Sequence, residues 1–329
     1  MQTSIWIFIM TNLYLHVGMP KTGTSYIQAL INLNHQLIMD SLGLISLKNR
    51  TPHQLASLLI DNTNLINRSD IKGLRTENSI DSISDTISKL LQKEHHAFIC
   101  SSEYFILPTK KTVVEFFSKF FSKITVIYSI RRQDMLIASG FNQDVKALDR
   151  TSNLTWNKDD NFLNYYQNYL EWKALGCDVS IISYDSVTSQ EFGLEHAFSS
   201  ILFNDDSLYK LNLVKPTKDQ SNLSLKKQAV LLKLSMNRHK INNERLLVDF
   251  ISQSYETDSI FKLPDAYARA MMTFYEPFNE KLFSECHCEG YYERFFEANE
   301  QANYANSFVW DPLSGVEELL SYLVNTSLA

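Results

Sequence analysis

Cysteine, glycine and proline are scarce in this chain. It has four cysteines, nine glycines and seven prolines among 329 residues, and no internal repeat or low-complexity tract appears. Cys286 and Cys288 stand on either side of His287, which is too tight a spacing for a zinc knuckle, and no other pair is spaced as zinc ligands are. The cysteines therefore predict free thiols in a reducing compartment, and we expect no metal site.

A surplus of basic residues and a long apolar run are also missing. Lys and Arg total 31 against 37 Asp and Glu, a formal charge of −6, which argues against broad binding to nucleic acids or other polyanions. The apolar stretch IWIFIM (5–10) follows no Lys or Arg, precedes no small-residue cleavage site and is far too short to span a bilayer. The expectation is a cytoplasmic protein without a membrane span.

What remains is ordinary globular composition, 44% hydrophobic and 21% charged, with strands and helices in alternation. Strand-like apolar runs lie at 13–18, 97–102, 124–130 and 179–184, and helical spacing lies at 27–38, 80–91, 113–121, from about 134, and at 162–175. This alternation predicts an α/β fold with a parallel, doubly wound sheet. We expect one domain over 1–329, with an α/β nucleotide-binding core at about 12–186 and a mostly helical extension at about 187–329.

The loop between the first strand and the first helix reads Gly-Met-Pro-Lys-Thr-Gly-Thr-Ser, residues 18–25. Two glycines at P-loop spacing let several backbone N–H groups converge on an anion, and the following helix adds its positive N-terminal dipole. The alternative is a strand-to-helix turn that merely uses glycine and proline. In a Walker A loop the lysine directly follows the second glycine, whereas here Thr24 occupies that place and the lysine is Lys21, inside the loop.

With its leading strand, this loop resembles the 5′-phosphosulfate-binding loop of PAPS-dependent sulfotransferases. That family has a strand, then P-K-[ST]-G-[ST]-[ST], then a helix, and the chain reads HVGMPKTGTSYIQ. The resemblance implies a P-loop-like site that binds PAPS, with PAP as the product. It places on the donor Pro20, Lys21, Thr22, Gly23, Thr24 and Ser25. Lys21 would contact the oxygen that bridges sulfate and 5′-phosphate and would stabilise charge on the leaving group.

A second phosphate site is indicated by Arg131, at the end of the strand ITVIYSI, and by Ser139, eight positions later. A guanidinium and a hydroxyl together clamp a phosphate well, although two arginines at a solvated helix start are the alternative. Sulfotransferases carry this pair on the donor's 3′-phosphate, and RRQDMLIASGFNQ looks like the form in bacterial carbohydrate-type members. Asn222 lies in a segment that resembles a donor-side segment of the same members. The Arg-Lys-Gly motif of the cytosolic branch is missing, and Lys215 or Lys218 could replace it.

Attack by an alcohol requires a base, and Glu103 ends the strand FICSS on the expected ligand edge of the sheet. By resemblance to sulfotransferases that use a glutamate, Glu103 is the candidate base, the alternative being a surface glutamate. Histidine is the competing base, as in the cytosolic branch of the family. His95 and His96 precede this strand and are expected at the opposite edge, while His16 lies inside the first strand, where a core histidine is the commoner finding.

The predicted function is transfer of the sulfuryl group of PAPS to an acceptor hydroxyl, with a saccharide as the expected acceptor. An ATP-dependent P-loop kinase or hydrolase is the first alternative. It would need a Walker A lysine at position 24 and a Walker B aspartate, for which Asp185 is the faint candidate. The second alternative is a binding module of the same fold without catalysis, against which an intact Lys21, Arg131 and Glu103 set argues.

Overall fold

The structure is a computed structural model. It describes residues 12–76, 78–92, 95–159, 161–188, 193–204, 207–216, 225–241, 260–286 and 307–313.

Five parallel strands form the central sheet, in the order β2-β3-β1-β4-β6. They are β1 (Asn12–Gly18), β2 (Leu44–Ser46), β3 (Ala97–Ser101), β4 (Lys123–Ile130) and β6 (Asp178–Ser183). The first strand lies in the middle, where Leu13 pairs with Phe98 of β3 on one side and Ile124 of β4 on the other. The predicted α/β class with a parallel sheet is confirmed.

Fourteen helices are resolved in the part of the chain described. Along the sheet core they are α1 (Thr24–Leu33), α2 (His35–Leu42), α3 (Thr51–Leu58), α4 (Thr63–Ile66), α5 (Ser69–Leu74), α6 (Ile80–Leu90), α7 (Lys110–Phe117) and α8 (Gln133–Ala147). They continue with α9 (Tyr165–Ala174), α10 (Tyr184–Thr188), α11 (Gly193–Phe203), α12 (Ser207–Lys210), α13 (Lys227–His239) and α14 (Asp265–Glu285). Two 3₁₀ helices lie at Glu103–Ile106 and Asn161–Leu163.

Both faces of the sheet are buried, which explains why its strands read as near-continuous apolar runs. Successive strand side chains point to opposite faces. Ile99 thus joins a cluster with Ile27 and Ile31 of α1 and Phe198 of α11 on one face. On the other face the ring of Phe98 packs on that of Phe121, 5.2 Å between centroids.

The chain divides into two compact units. The first comprises residues 1–131, 165–217 and 280–295 and contains the five-stranded sheet. The second comprises residues 132–164, 218–279 and 296–329 and contains α8, α13, most of α14 and an antiparallel pair, β5 (Leu154–Asn157) with β7 (Ser307–Trp310). The single domain expected over 1–329 stays a prediction. No helix among the described residues is both long and apolar enough to cross a membrane.

The first helix and the edge strand of the sheet differ from the pattern read off the sequence. The predicted helix over 27–38 is two helices, because Asn34 leaves the helical path and its side-chain amide bonds the backbone of Val214 in both directions, at 2.9 and 2.8 Å. The three-residue edge strand β2 has no counterpart among the predicted strands. A run of three apolar or small residues is too short to show a strand period.

Candidate functional site

The candidate site lies where four neighbouring strands end. Because β3, β1, β4 and β6 are parallel, their carboxyl ends share one edge of the sheet, where ligands of open α/β sheets bind. Backbone bonds continue the sheet into the following residues: the Ser102 N–H donates to the His16 carbonyl at 3.1 Å, and the Met19 N–H donates to the Ser129 carbonyl at 2.8 Å. These bonds fix the start of the loop after β1 and the turn after β3 relative to each other.

The loop after β1 is a tight turn in an unusual backbone conformation. Lys21 and Gly23 both have positive φ, at 66° and 76°, which is uncommon for a residue with a side chain such as Lys21. The Thr22 hydroxyl, fully buried, donates to the Met19 carbonyl at 2.5 Å. Thr22 therefore stabilises the loop from inside, while Pro20 is exposed on it.

Glycine is required at both ends of this loop. A Cβ on Gly18 would stand 2.1 Å from the Thr24 methyl carbon, and a Cβ on Gly23 would stand 2.4 Å from a Leu194 methyl carbon. Real Cβ atoms do not approach other atoms so closely. The two glycines thus let the loop fold back on the first turn of α1 and against the first turn of α11.

Helix α1 begins directly after the loop, with Gly23 as its N-cap in the left-handed conformation. Its first intrahelical bond runs from the Ile27 N–H to the Gly23 carbonyl, 3.1 Å, so the N–H groups of Thr24, Ser25 and Tyr26 precede the helical ladder. The first turn contains no acidic residue, and the Gly23 cap uses no side chain. This end of α1 has the charge character that suits an anion.

Arg131 follows β4 and reaches the loop. Its Nη1 donates to the Lys21 carbonyl at 3.4 Å, and its Nε donates to Oδ1 of Asp185, at the start of α10, at 3.2 Å. The guanidinium lies 5.2 Å from the centroid of the Tyr184 ring. The Tyr165 hydroxyl donates to the Arg131 carbonyl at 2.7 Å. Arg131 and the Lys21 backbone are thus brought together as the sequence pattern predicts, and Asp185 forms an ion pair.

Glu103 stands one residue beyond Ser102 at the end of β3 and begins a 3₁₀ helix. Its carboxylate Oε2 accepts a hydrogen bond from Gln28 Nε2 of α1 at 3.1 Å. His53 Nδ1 of α3 lies 3.9 Å from the same oxygen and hydrogen-bonds with the Ser102 hydroxyl at 2.7 Å. The side chains of His53 and Glu103 are 17% and 25% exposed, so Glu103 is partly open to solvent.

His16 is enclosed in the sheet. It is 0% exposed, its Nδ1 hydrogen-bonds with the Ser101 hydroxyl at 2.7 Å and its Nε2 with the Ser129 hydroxyl at 3.0 Å. The Phe198 ring closes the remaining side with an edge contact at 4.7 Å. Burial lowers the pKa of His16 to about 3. This is a neutral core histidine that ties β1 to both its neighbours.

Lys215, a candidate replacement for the missing nucleotide motif, pairs with Glu195 in the first unit. Its Nζ donates to Oε1 of Glu195 at 3.0 Å, and the Tyr26 hydroxyl donates to the same oxygen at 2.6 Å. Burial raises the pKa of Glu195, but the hydrogen bonds from Tyr26 and Lys215 outweigh burial and lower that pKa overall. Lys215 thereby ties its own segment to α11.

The other predicted donor residues belong to the second unit. Ser139 is half-buried in α8. One turn further along, the side-chain amide of Asn142 bonds the Leu225 backbone in both directions, at 2.7 and 3.2 Å, which fixes the backbone at Leu225. Asn222 itself and Lys218 lie outside the described residues.

Of the cysteines that the structure describes, Cys100 and Cys177 are buried free thiols. His287 and Cys288 lie outside the described residues. Within the described ranges, no group of three or more His, Cys, Asp or Glu side chains is arranged to hold a metal ion.

Two side chains at this edge were missed by the sequence pattern, Gln28 and His53. The sequence does indicate Gln28, because it lies four residues after Thr24 and so shares a face of α1 with the end of the loop after β1. Nothing in the sequence indicates His53, since its approach to Glu103 depends on how α3 packs and not on any spacing along the chain.

The similarity of this chain to known proteins is remote. No family model matches the chain, and no curated protein matches it. Among solved structures it is similar to a sulfotransferase from Alicyclobacillus acidocaldarius, at a TM-score of 0.42 and 10% identity, over 71% of this chain and 95% of that one. A similarity this remote carries no argument about activity, so function rests on the residues themselves.

Proposed function

We propose that this protein is a sulfotransferase that moves the sulfuryl group of PAPS to an acceptor hydroxyl. The observation that carries the proposal is the meeting of three groups at one edge of the sheet. These are the Lys21 loop with the start of α1, the Arg131 guanidinium on the carbonyl of Lys21, and the Glu103 carboxylate at the end of the adjacent strand. Cationic and N–H groups suit a donor with several negative charges, and a carboxylate suits an acceptor that must lose a proton.

The proposed donor site divides between the two phosphates of PAPS. The loop residues Pro20 to Ser25 hold the 5′-phosphosulfate, with Lys21 at the bridging oxygen. Arg131 is assigned to the 3′-phosphate, and the resemblance to sulfotransferases assigns Ser139 and Asn222 to the same group. The lack of acidic residues in the first turn of α1 supports the first assignment. The contact of the Arg131 guanidinium with the Lys21 carbonyl in the loop supports the role of Arg131 on the donor.

In the proposed reaction the acceptor oxygen attacks sulfur in line with the bond to the 5′-phosphate oxygen. A new sulfur–oxygen bond forms, the old one breaks with its electron pair on the phosphate, and PAP leaves. Glu103 takes the proton of the acceptor hydroxyl, and Lys21 stabilises the charge that builds on the leaving oxygen. Sulfur keeps its oxidation state, so no redox partner is needed.

Glu103 is the better base of the two candidates. His16 is fully buried and both of its ring nitrogens are hydrogen-bonded to serine hydroxyls, whereas the Glu103 carboxylate is partly exposed. A base must come within hydrogen-bond reach of its substrate. The enclosure of His16 supports a structural role for it.

A saccharide is the proposed acceptor. The segment RRQDMLIASGFNQ supports this acceptor class, because it resembles the 3′-phosphate segment of bacterial carbohydrate-type sulfotransferases.

The test is transfer of labelled sulfate from PAPS to a panel of glycans, lipids and peptides, with Glu103→Gln and Glu115→Gln as a matched pair. Glu115 lies on α7, 65% exposed, in a surface pair with Lys111. Glu103→Gln should reduce transfer about 10²–10⁴-fold, because the amide cannot take the proton, and Glu115→Gln should leave it unchanged. Magnesium-dependent ATP hydrolysis without sulfate transfer would favour the kinase or hydrolase, and PAP binding without transfer would favour the binding module.

A further inference from the structure

Gln28 connects the phosphate loop to the candidate base. It lies on α1, one turn after Thr24, and its Nε2 donates to Glu103 Oε2 at 3.1 Å and approaches the Ser101 carbonyl at 3.4 Å. Ser101 is the last residue of β3, and Glu103 follows it by two positions. The amide therefore ties the helix that starts at the loop to the end of the strand that delivers the carboxylate.

The second group facing Glu103 approaches the same oxygen. His53 Nδ1 lies 3.9 Å from Oε2 and is held by the Ser102 hydroxyl at 2.7 Å and by an edge contact with the Tyr104 ring at 5.4 Å. Burial lowers the pKa of His53; Glu103 opposes this shift, and Arg50 adds to it. His53 is therefore held in place on this side of the carboxylate, and its burial disfavours the charged form of its ring.

We propose that Gln28 is a positioning residue for the general base. By holding Oε2 from α1, it fixes the rotation of the Glu103 carboxylate and leaves Oε1 to take the acceptor proton. Because α1 starts at the loop that would hold the donor, one helix sets the distance between the donor and the base. This inference rests on the proposed function, and it concerns catalysis by Glu103 without any contact between Gln28 and the substrate.

The experiment is a double-mutant cycle on the transfer rate, with Gln28→Leu, Glu103→Gln and the double variant. Gln28→Leu should lower kcat about 10- to 100-fold, the effect of losing a hydrogen bond to a charged group. The KM for the acceptor and the calorimetric affinity for PAP should stay within about twofold, and normal PAP affinity also shows that the variant is folded. The double variant should be no slower than Glu103→Gln alone, because Gln28 acts only through Glu103.

Gln36→Leu is the matched control. Gln36 lies on α2 and donates to Asp40 Oδ1 at 2.9 Å in an exposed helical pair, so the same change there should leave transfer unchanged. A fall in kcat at unchanged acceptor KM and unchanged PAP affinity is the readout that a merely structural role of Gln28 would not give.

The outcomes of this experiment separate the positioning role of Gln28 from the proposed function. Normal turnover of Gln28→Leu in an enzyme that transfers sulfate would overturn the positioning role and leave the proposed function standing. Losses that multiply in the double variant would also overturn it, because Gln28 would then act independently of Glu103. A wild-type protein that transfers no sulfate to any acceptor would overturn the proposed function and the positioning role together.

Discussion

Lys21 is the residue whose removal should separate turnover from binding most clearly. Its proposed contact strengthens only as charge develops on the leaving oxygen, so its loss falls on the transition state. Lys21→Ala should reduce kcat about 10²–10³-fold and change PAP affinity much less. Lys111→Ala is the control, since that side chain is 74% exposed on α7. Near-normal turnover in single-turnover assays of Lys21→Ala would remove Lys21 from the chemistry.

Arg131 should discriminate between nucleotides with and without a 3′-phosphate. Arg131→Ala should weaken PAP binding about 10- to 100-fold, as loss of a charge-assisted contact does, and leave adenosine 5′-phosphate unaffected. Arg131→Lys keeps the charge but loses the planar fork that Asp185 holds, so an intermediate loss is expected. Equal losses for both nucleotides in calorimetry would contradict the 3′-phosphate assignment.

How far these side chains could be placed from sequence depends on their position in the strands. Glu103 and Arg131 were placed at one edge because the carboxyl ends of parallel strands coincide, and the structure has both there. The ion pair of Arg131 with Asp185 and the pairing of Lys215 with Glu195 could not be predicted in the same way. The paired residues are 54 and 20 positions apart in the chain and meet through the packing of α10 and α11. Such packing produces no periodic pattern in the sequence.

The turn from β1 into α1 is held by close packing as much as by hydrogen bonds. Gly18→Ala should reduce the free energy of unfolding by about 1–3 kcal/mol, because its new Cβ meets the stiff Thr24 side chain at 2.1 Å. It should also weaken PAP binding by displacing the first turn of α1. Urea titration and calorimetry measure the two effects.

Gly73 on α5 provides the matched glycine for this comparison, since a Cβ there would meet nothing within 4 Å. Gly73→Ala should stabilise the protein by about 0.4–1 kcal/mol through the unfolded chain. It should leave PAP affinity unchanged. Equal behaviour of the two alanine variants would mean that the loop can shift without cost.

The elements themselves were predicted unevenly. The sequence predicted four strands of six or more residues, and all four are present. A strand that is buried on both faces of its sheet has a continuous apolar run in the sequence, which makes it easy to predict. The strands β5 and β7 of the second unit were missed, since each has four residues and they pair across 150 positions of sequence. The break at Asn34 was missed because the apolar spacing continues through it, and only the bonds to Val214 reveal why the helix ends.

The stability of the folded protein should depend on pH through His16. Its pKa is lowered from 6.5 to about 3 by burial, so between these values the unfolded chain binds a proton that the folded chain does not. The free energy of unfolding therefore falls as the pH drops from about 6.5 toward 3, by up to about 1.4 kcal/mol per pH unit. His53, whose pKa is also lowered, acts in the same direction.

Urea unfolding of wild type and His16→Gln from pH 7.5 to 4.5 isolates this contribution. Glutamine can hydrogen-bond the two serines but does not titrate, so the variant should be less stable at neutral pH and lose less stability on acidification. Parallel curves for the two proteins would contradict a buried, neutral His16.

The central place of β1 in the sheet has a consequence for folding in the cell. Strand β1 is synthesised well before β3 and β4, the strands that flank it in the sheet. His16 bonds serines that lie 85 and 113 residues further along the chain. The bond from the Met19 N–H to the Ser129 carbonyl, which anchors the loop after β1, therefore cannot form on the ribosome until β4 has emerged. Such distant pairing makes folding slow, because the entropy of closing long loops is lost before the contacts form. Until then the apolar side chains of β1 remain exposed, where chaperones can bind them and other chains can aggregate with them.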